Sequence, residues 1–304
     1  VRRQGIKVVL TGEGADEVFL GYNIFSEVLL RSQWDALDGP ARKARLSRLY
    51  PHLSHFDATH HAHLLGLYQQ FSKENMPGLF SHEMRFQNGR FSKRLLKGTQ
   101  DPFSALYALI KSDPDYAMLS VVQKAQWLEF YTLLAGYLLS TQGERMSLAH
   151  GVENRCPFLD PGVVSIGAST NLQFDDGTHE KYLLKKSFES VLPSTITARY
   201  KQPYRAPESA AFVAHQPAYL DEVLSDSSLL EMEFLNPVFV RALIKKIWTT
   251  DPAQISTKEN QTFVFLLSIA LLHKMFVKRQ GLPIIDRSLF QSKIVKAVDL
   301  RERL

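Results

Sequence analysis

Residues 7–19, near the start of the chain, read KVVLTGEGADEVF. The first four of them form a short apolar, β-branched run between Gly5 and Gly12, which predicts a buried strand that is parallel to its neighbours. From Ala15 onward the apolar residues follow a mostly helical spacing. The segment therefore predicts a strand, a glycine loop and a helix, in that order.

The sequence downstream of this segment is dominated by helical patterns. Two start signals support them, because Ser256 and Glu259 can form a capping box and Pro237 suits a first helical position. Helices are predicted over residues 41–49, 58–71, 103–110, 121–140, 180–191, 218–224, 237–248 and 256–278. We therefore expect an α/β fold, the C-terminal portion of a doubly wound parallel sheet followed by a mostly α-helical region.

The bulk composition indicates a soluble globular protein. Of its 304 residues 45% are hydrophobic, and the formal net charge of +5 is spread along the chain, which argues against nucleic-acid binding. The longest apolar stretch, 262–272, is too short to cross a bilayer, so we expect no membrane partner. The single cysteine, Cys156, excludes an internal disulfide and suits a cytoplasmic location, and we expect it to be a small buried residue.

The loop after the strand carries three carboxylates, from Glu13, Asp16 and Glu17. In open α/β sheets ligands bind outside the carboxyl ends of the strands, where this loop lies. Carboxylates would repel a phosphate unless a divalent metal bridged them, and Mg²⁺ suits oxygen ligands, with Asp16 as the best candidate. The alternative is that the loop serves only turn geometry and the helix dipole, which acids in a first turn also favour.

Three segments, in the same order, resemble glutamine-dependent asparagine synthetases. The first is GEGADEVFLGY at 12–22, the second is LLSTQGERMSLAHGVENRCPFLD at 138–160, and the third combines EKYLL at 180–184, LP at 192–193 and KQPYRAP at 201–207. The resemblance covers about residues 7–280 and is weakest over 30–120. It implies an adenine nucleotide alpha hydrolase-like sheet and the cofactors ATP and Mg²⁺.

The resemblance also implies roles for individual residues. Thr11 and Gly12 match positions that touch ATP, Glu13 matches the acid that serves the acyl-adenylate, Asp16 matches the metal and pyrophosphate carboxylate, and Lys201 matches the lysine that contacts phosphates. A lysine suits the charge on departing pyrophosphate, and a carboxylate can accept the proton of an attacking amine. Without the resemblance, Lys201 reads as an ordinary surface lysine.

On this interpretation the protein forms an amide through an acyl-adenylate. The expected reaction makes asparagine from aspartate and glutamine-derived ammonia and releases AMP and pyrophosphate. Residues 1–285 would be part of a synthetase domain and residues 286–304 an amphipathic tail. The family's S-G-G-x-D-S loop and glutaminase domain are missing, so we expect an incomplete chain that is inactive in isolation, with an upstream glutaminase domain and a second copy as partners.

Two alternatives stay open. The same chemistry could serve another carboxylate, as an amidotransferase or a β-lactam-type cyclase in natural-product or polysaccharide biosynthesis. The chain could instead be a non-catalytic remnant that acts as an interaction domain. Glu13, Asp16 and Lys201, which are all retained, argue against the remnant.

Overall fold

The computed structural model describes residues 1–49, 58–98, 101, 103–169, 180–201 and 208–278. The chain divides into two compact units. The first unit comprises Val1–Arg90 and Thr99–Ala206, and the second comprises Phe91–Gly98 and Pro207–Leu304. The predicted tail at 286–304 and residues 202–207 of the third motif lie outside the described residues.

The first unit is mostly helical, with a small parallel sheet. Its strands are β1 (Val8–Leu10) and β2 (Glu153–Arg155), and its helices are α1 (Ala15–Val18), α2 (Asn23–Ser32), α3 (Gly39–Leu49), α4 (Ala58–Gln70), α5 (Glu83–Lys93, whose last residues enter the second unit), α6 (Ser104–Ser112), α7 (Val121–Glu129), α8 (Arg145–Ala149), α9 (Pro161–Ser169), α10 (Tyr182–Ser187) and α11 (Ser194–Thr197). A π-type helical segment, Phe130–Glu144, continues α7.

The sheet joins the first two sequence motifs. β1 and β2 pair in parallel, with Val8 opposite Glu153 and Leu10 opposite Arg155. The predicted strand at 7–10 is therefore present and parallel, but the prediction that it is buried was wrong, because Val8 is 39% and Leu10 73% exposed. No described element covers them, and β2 escaped prediction because its three residues are all polar. The doubly wound sheet remains a prediction, since the described residues form only two strands.

The predicted helix after the glycine loop is two helices. Leu20 has a φ of 56° and breaks the helical path between α1 and α2. The N–H of Gly21 donates to the carbonyl of Asp16 at 2.7 Å, and a side chain at Gly21 would overlap the Asp16 carboxylate. The break therefore depends on a small residue at 21 and brings the chain back against Asp16.

Helix α2 anchors the loop region to the rest of the first unit. Its buried face, with Ile24, Phe25 and Val28, packs with Leu20 and with Ala125 of α7. Apolar residues at this spacing form one helical face, so burial of that face fixes α2 against α7. The loop and α1 therefore lead into a helix whose position is fixed by buried apolar contacts.

The second unit is helical around one apolar core. Its helices are α12 (Ser209–His215), α13 (Tyr219–Val223), α14 (Asp226–Leu230), α15 (Pro237–Thr249) and α16 (Thr257–Leu272), which a π-type turn extends to Val277. Pro237 is the first residue of α15, and Ser256 and Glu259 form the expected capping box of α16. Both start signals are confirmed.

The run Thr257–Val277 is the one described helix that is long and apolar enough to cross a membrane by length and composition alone. It is longer than the apolar stretch 262–272, from which the sequence argument judged a span to be excluded. One side of the run, with Phe263, Leu266 and Leu267, is buried in the core of the second unit. That packing accounts for the apolar residues on this side of the run, whereas Phe265, Leu272 and Phe276 on the same run are exposed.

Candidate active site

The glycine loop between β1 and α1 is held against the segment that follows β2. The N–H of Thr11 donates to the carbonyl of Arg155 at 2.9 Å and so extends the strand pairing into the loop. The Thr11 hydroxyl lies 3.5 Å from the thiol of Cys156. Cys156 is half-buried at this contact, whereas the sequence predicted a buried residue. The first and second motifs therefore meet at the carboxyl end of the sheet.

The shape of the loop requires a glycine at position 14. Gly14 has a φ of 85° at the N-cap of α1, a conformation that glycine adopts without steric cost. A Cβ atom there would also overlap the side chain of Leu159, which belongs to the second motif. The loop can therefore lie directly on this motif only because residue 14 has no side chain.

Asp16 forms the centre of a charged cluster. One of its oxygens, Oδ1, lies 2.7 Å from the ammonium of Lys201 and 2.9 Å from that of Lys181. Burial raises the pKa of the Asp16 carboxyl, but the two ammonium groups outweigh this effect and hold the pKa below its usual value. Asp16 is thus an ionised carboxylate between two cations.

Glu180 fixes the backbone beside this cluster. Its Oε1 accepts a hydrogen bond from the N–H of Lys201 at 2.6 Å and from the ammonium of Lys185 at 2.7 Å. Lys185 also donates to the carbonyl of Arg199 at 2.7 Å. The third motif therefore supplies both the lysines that contact Asp16 and the acid that holds one of them in position.

Glu17, the residue after Asp16, forms a partly buried pair with Tyr22. The hydroxyl of Tyr22 donates to Oε1 of Glu17 at 2.8 Å, and the side chain of Gln126 donates to the Glu17 carbonyl at 3.1 Å. Burial raises the pKa of Glu17, and burial together with the Glu17 carboxylate raises the pKa of Tyr22. The ammonium of Lys201 lies 4.3 Å from the centre of the Tyr22 ring, within cation–π range.

The residues predicted from sequence divide into two groups. Asp16 and Lys201, which are 185 positions apart, are in direct contact. Thr11 and Glu13 are half-buried and Gly12 is exposed in the same loop, and Glu13 makes no hydrogen bond or ion pair with the described residues. The sequence argument assigned no role to Glu180 or Lys181, although both lie in a segment that carries the resemblance.

The donor set constrains what metal the site can hold. The described residues include no group of three His, Cys, Asp or Glu side chains that could hold a metal ion by themselves. Mg²⁺ is commonly bound by one or two carboxylates, with substrate phosphates and waters completing its shell. The Asp16 carboxylate fits a Mg²⁺ that it shares with a polyphosphate.

Comparison with known proteins agrees with the three motifs. The asparagine synthase family model matches residues 1–274. The chain is 26% identical over 209 residues to glutamine-hydrolyzing asparagine synthetase 1 of Bacillus subtilis, covering 67% of this chain and 31% of that protein. It is 25% identical over 239 residues to amidase chry2 of Gibberella zeae, covering 68% and 33%, and 24% identical over 235 residues to amidase chyE of Penicillium rubens, covering 68% and 33%.

The chain spans about a third of the length of these curated relatives. No solved structure matches it. The family model nevertheless covers all but the last 30 of the 304 residues, and its range contains the loop, the second motif and both lysines that contact Asp16. The chain therefore belongs to the asparagine synthase family.

Proposed function

We propose that the protein to which this chain belongs is an ATP-dependent ligase that forms an amide through an acyl-adenylate. The observation that carries the proposal is the contact of Asp16 with Lys201 and Lys181 at the end of β1. An ionised carboxylate and two ammonium groups offer what a metal-bound polyphosphate needs, a ligand for the metal and cations for the phosphate oxygens.

In the first step an oxygen of the acceptor carboxylate attacks the α-phosphorus of ATP, and the bond to pyrophosphate breaks. Thr11 and Gly12 would contact the nucleotide, and Asp16 would hold Mg²⁺ against its phosphates. A bound Mg²⁺ supplies positive charge to the phosphate oxygens. Lys201 and Lys181 would neutralise the negative charge that leaves with pyrophosphate, because a fixed ammonium stabilises a developing anion without reorganisation.

In the second step ammonia attacks the carbonyl carbon of the acyl-adenylate, and the bond to AMP breaks. The nitrogen must lose a proton as the amide forms. Glu13 would accept this proton, since a carboxylate beside an attacking amine can act as a general base. Its lack of a partner among the described residues leaves its oxygens available for this role. A glutaminase domain would supply the ammonia from glutamine.

Product stoichiometry tests the proposal. The protein is incubated with ATP, Mg²⁺, aspartate and either ammonium or glutamine, and AMP, pyrophosphate and asparagine are quantified. We expect the three products in equal amounts, and Glu13→Gln to reduce the rate by about 10²- to 10⁴-fold, the range for loss of a general base. Asp226→Asn, which removes an exposed acid from the second unit, is the matched control and should retain the rate.

Two results would overturn the proposal. One is the absence of pyrophosphate with every carboxylate acceptor tried. The other is formation of ADP and phosphate, which would indicate attack at the γ-phosphorus and an acyl-phosphate instead of an adenylate.

A second candidate keeps the chemistry and changes the acceptor. It is favoured by two of the relatives, which are named as amidases of fungi and are as similar to this chain as the bacterial synthetase is. A panel of carboxylates in the pyrophosphate assay separates the two candidates. Strict selectivity for aspartate would eliminate the second candidate, and turnover of a larger carboxylate in preference to aspartate would eliminate the first.

A further inference from the structure

A cavity of about 240 Å³ lies next to Lys201 in the first unit. It is lined by Tyr22, Asn23 and Ile24 at the start of α2 and by Met84 and Arg85 of α5. Lys201, whose ammonium contacts Asp16, lines the same cavity. A molecule in this space would therefore lie beside the lysine to which we assign the phosphates.

The start of α5, which carries Arg85, is fixed by buried contacts. Ser81, His82 and Glu83 are all buried. The guanidinium of the buried Arg31 lies 3.3 Å from the Glu83 carboxylate and donates to the Ser81 carbonyl at 3.4 Å. Buried charge pairs of this kind fix the side chains beside them, which is what a binding wall requires.

Glu83 adds a second attachment. Its Oε1 accepts hydrogen bonds from the N–H groups of Asn75 and Met76, both at 2.5 Å. The start of α5 is thereby tied to the preceding loop as well as to α2. Met84 and Arg85 follow directly in sequence, so their backbone has little freedom to move.

The Arg85 side chain is held by a buried carboxylate and is also partly exposed. Its Nη1 lies 2.6 Å from Oε1 of Glu129, a fully buried carboxylate, while 43% of the Arg85 side chain is exposed. Nε2 of His82 lies 3.1 Å from the same oxygen. A guanidinium carries five N–H donors in a planar fork, so one contact to Glu129 leaves donors for a ligand.

The charge states of this cluster follow from its surroundings. Burial raises the pKa of Glu129, but the contacts with His82 and Arg85 have a larger effect and hold this pKa below its usual value. Burial lowers the pKa of His82, which favours the neutral imidazole. Arg85 is therefore the cation that balances a buried anion and still reaches the cavity.

We propose that this cavity binds the acceptor and that Arg85 is its specificity-determining residue, holding a second carboxylate that is not activated. This inference rests on the proposed function. With Lys201 serving the phosphates, the reacting carboxylate would lie on its side of the cavity and the second would meet the guanidinium, which binds carboxylates with two parallel hydrogen bonds. Glu27 also lines the cavity.

Paired acceptors test the role of Arg85. Aspartate and β-alanine share the reacting carboxylate and the amino group, but β-alanine lacks the second carboxylate. We expect Arg85→Gln to raise the KM for aspartate by about 10- to 100-fold, the loss of charge-assisted hydrogen bonds, and to leave the KM for ATP and the kcat/KM for β-alanine unchanged. Arg90→Gln, on the same helix and outside the cavity lining, should change none of them.

Two further variants keep the test valid if loss of Arg85 disturbs the buried Glu129. Arg85→Lys keeps a cation but loses the fork, and should recover part of the affinity for aspartate. Asn23→Phe adds bulk to the part of the lining that α2 contributes, without changing a partner of Glu129, and should raise the KM for aspartate. An equal loss with aspartate and β-alanine in Arg85→Gln, or no change in the KM for aspartate, would overturn the inference.

Calorimetric titration of the protein with aspartate separates this inference from the proposed function, because it needs no turnover. Binding that Arg85→Gln weakens by about 10- to 100-fold supports the cavity assignment. It does so even if no pyrophosphate is released, a result that would count only against the ligase. Release of pyrophosphate together with unchanged aspartate binding in Arg85→Gln would reject the cavity assignment alone.

Discussion

The charged cluster around Asp16 and the apolar core around Phe263 are built from different kinds of contact. Asp16 meets two lysines from distant parts of the chain, and all three side chains are about a quarter exposed. Phe263 is fully buried and belongs to a cluster of 14 buried apolar residues. Partly exposed ion pairs contribute little to stability, whereas buried rings contribute several kcal/mol. The cluster is therefore suited to chemistry and the core to holding the fold.

Among the substitutions that test this difference between the cluster and the core, removal of Lys201 should have the largest effect. We expect Lys201→Ala to reduce pyrophosphate release by about 10³-fold, the upper range for loss of one group that stabilises a developing anion. The free energy of unfolding should change by less than about 1 kcal/mol, since the ion pair is partly exposed. Steady-state kinetics and urea denaturation measure the two quantities.

Lys186→Ala is the matched control for Lys201→Ala. Lys186 lies in α10 and pairs at 2.6 Å with Glu189 on the exposed surface. Its removal should leave the rate within about twofold, because surface ion pairs carry little energy. Loss of stability by several kcal/mol in Lys201→Ala would contradict the assignment of the cluster to chemistry.

Phe263→Ala should have the opposite effect, a large loss of stability with little change in the binding of ATP. The ring of Phe263 packs edge-on against Phe212 and Trp248, at centroid distances of 6.1 and 6.2 Å. We expect the free energy of unfolding to fall by about 3 kcal/mol or more, from the lost burial and the cavity that remains, while the folded fraction keeps its KM for ATP. Urea denaturation and initial rates are the measurements.

Phe265→Ala provides the comparison within the same helix. Phe265 is 45% exposed, so its truncation should cost less than about 1 kcal/mol. If the two variants lose equal stability, the face of α16 that carries Phe263 is not the one that supports the unit.

The core could be read from the sequence because its signals are local. Pro237 and the pair Ser256 and Glu259 mark helix starts within four residues, and the apolar spacing of α16 lies in one continuous run. Such signals need no knowledge of the rest of the fold. The break at Leu20 was missed, since it depends on a backbone conformation that the helical spacing does not encode.

The cluster could be read only in part. Asp16 and Lys201 were identified through the motifs, but the contact of Lys181 with the same oxygen was not, because pairing between distant residues is set by the fold. Arg85 and its partner Glu129 were missed entirely. Arg85 lies in the stretch where the resemblance is weakest, and an arginine in a helix gives no sign from spacing that it pairs with a buried acid.

Glu180 should have an intermediate effect, since it acts through Lys201. We expect Glu180→Gln to lower kcat by about 10- to 30-fold, because the neutral amide holds the Lys201 N–H and the Lys185 ammonium less firmly. In the Lys201→Ala background the same substitution should have almost no further effect. Full additivity of the two losses would show that Glu180 does not act by positioning Lys201. Glu189→Gln, an exposed acid nearby, serves as the control.

The smallest effect is expected at the start of α16. Glu259 accepts hydrogen bonds from the Ser256 N–H at 3.0 Å and hydroxyl at 2.7 Å, and its Oε1 lies 2.6 Å from the ammonium of Lys246. Burial raises the pKa of Glu259, but these contacts outweigh it and lower the pKa to about 2, from an ordinary 4.5. At pH 7 we expect Glu259→Gln to destabilise the protein by about 1 kcal/mol, a typical value for a lost helix cap.

The pH dependence of that difference distinguishes a charge effect from a shape effect. A carboxyl whose pKa is lower in the folded state contributes its full stability above pH 4.5 and loses it as the pH falls toward 2. The gap between the wild type and Glu259→Gln, measured by urea denaturation, should therefore be constant from pH 7 to 5 and close below pH 4.5. Glu222→Gln, which removes an exposed partner of Lys274, should show almost no gap at any pH. A gap in Glu259→Gln that persists unchanged at pH 2 would mean that the side-chain shape, and not its charge, holds the helix start.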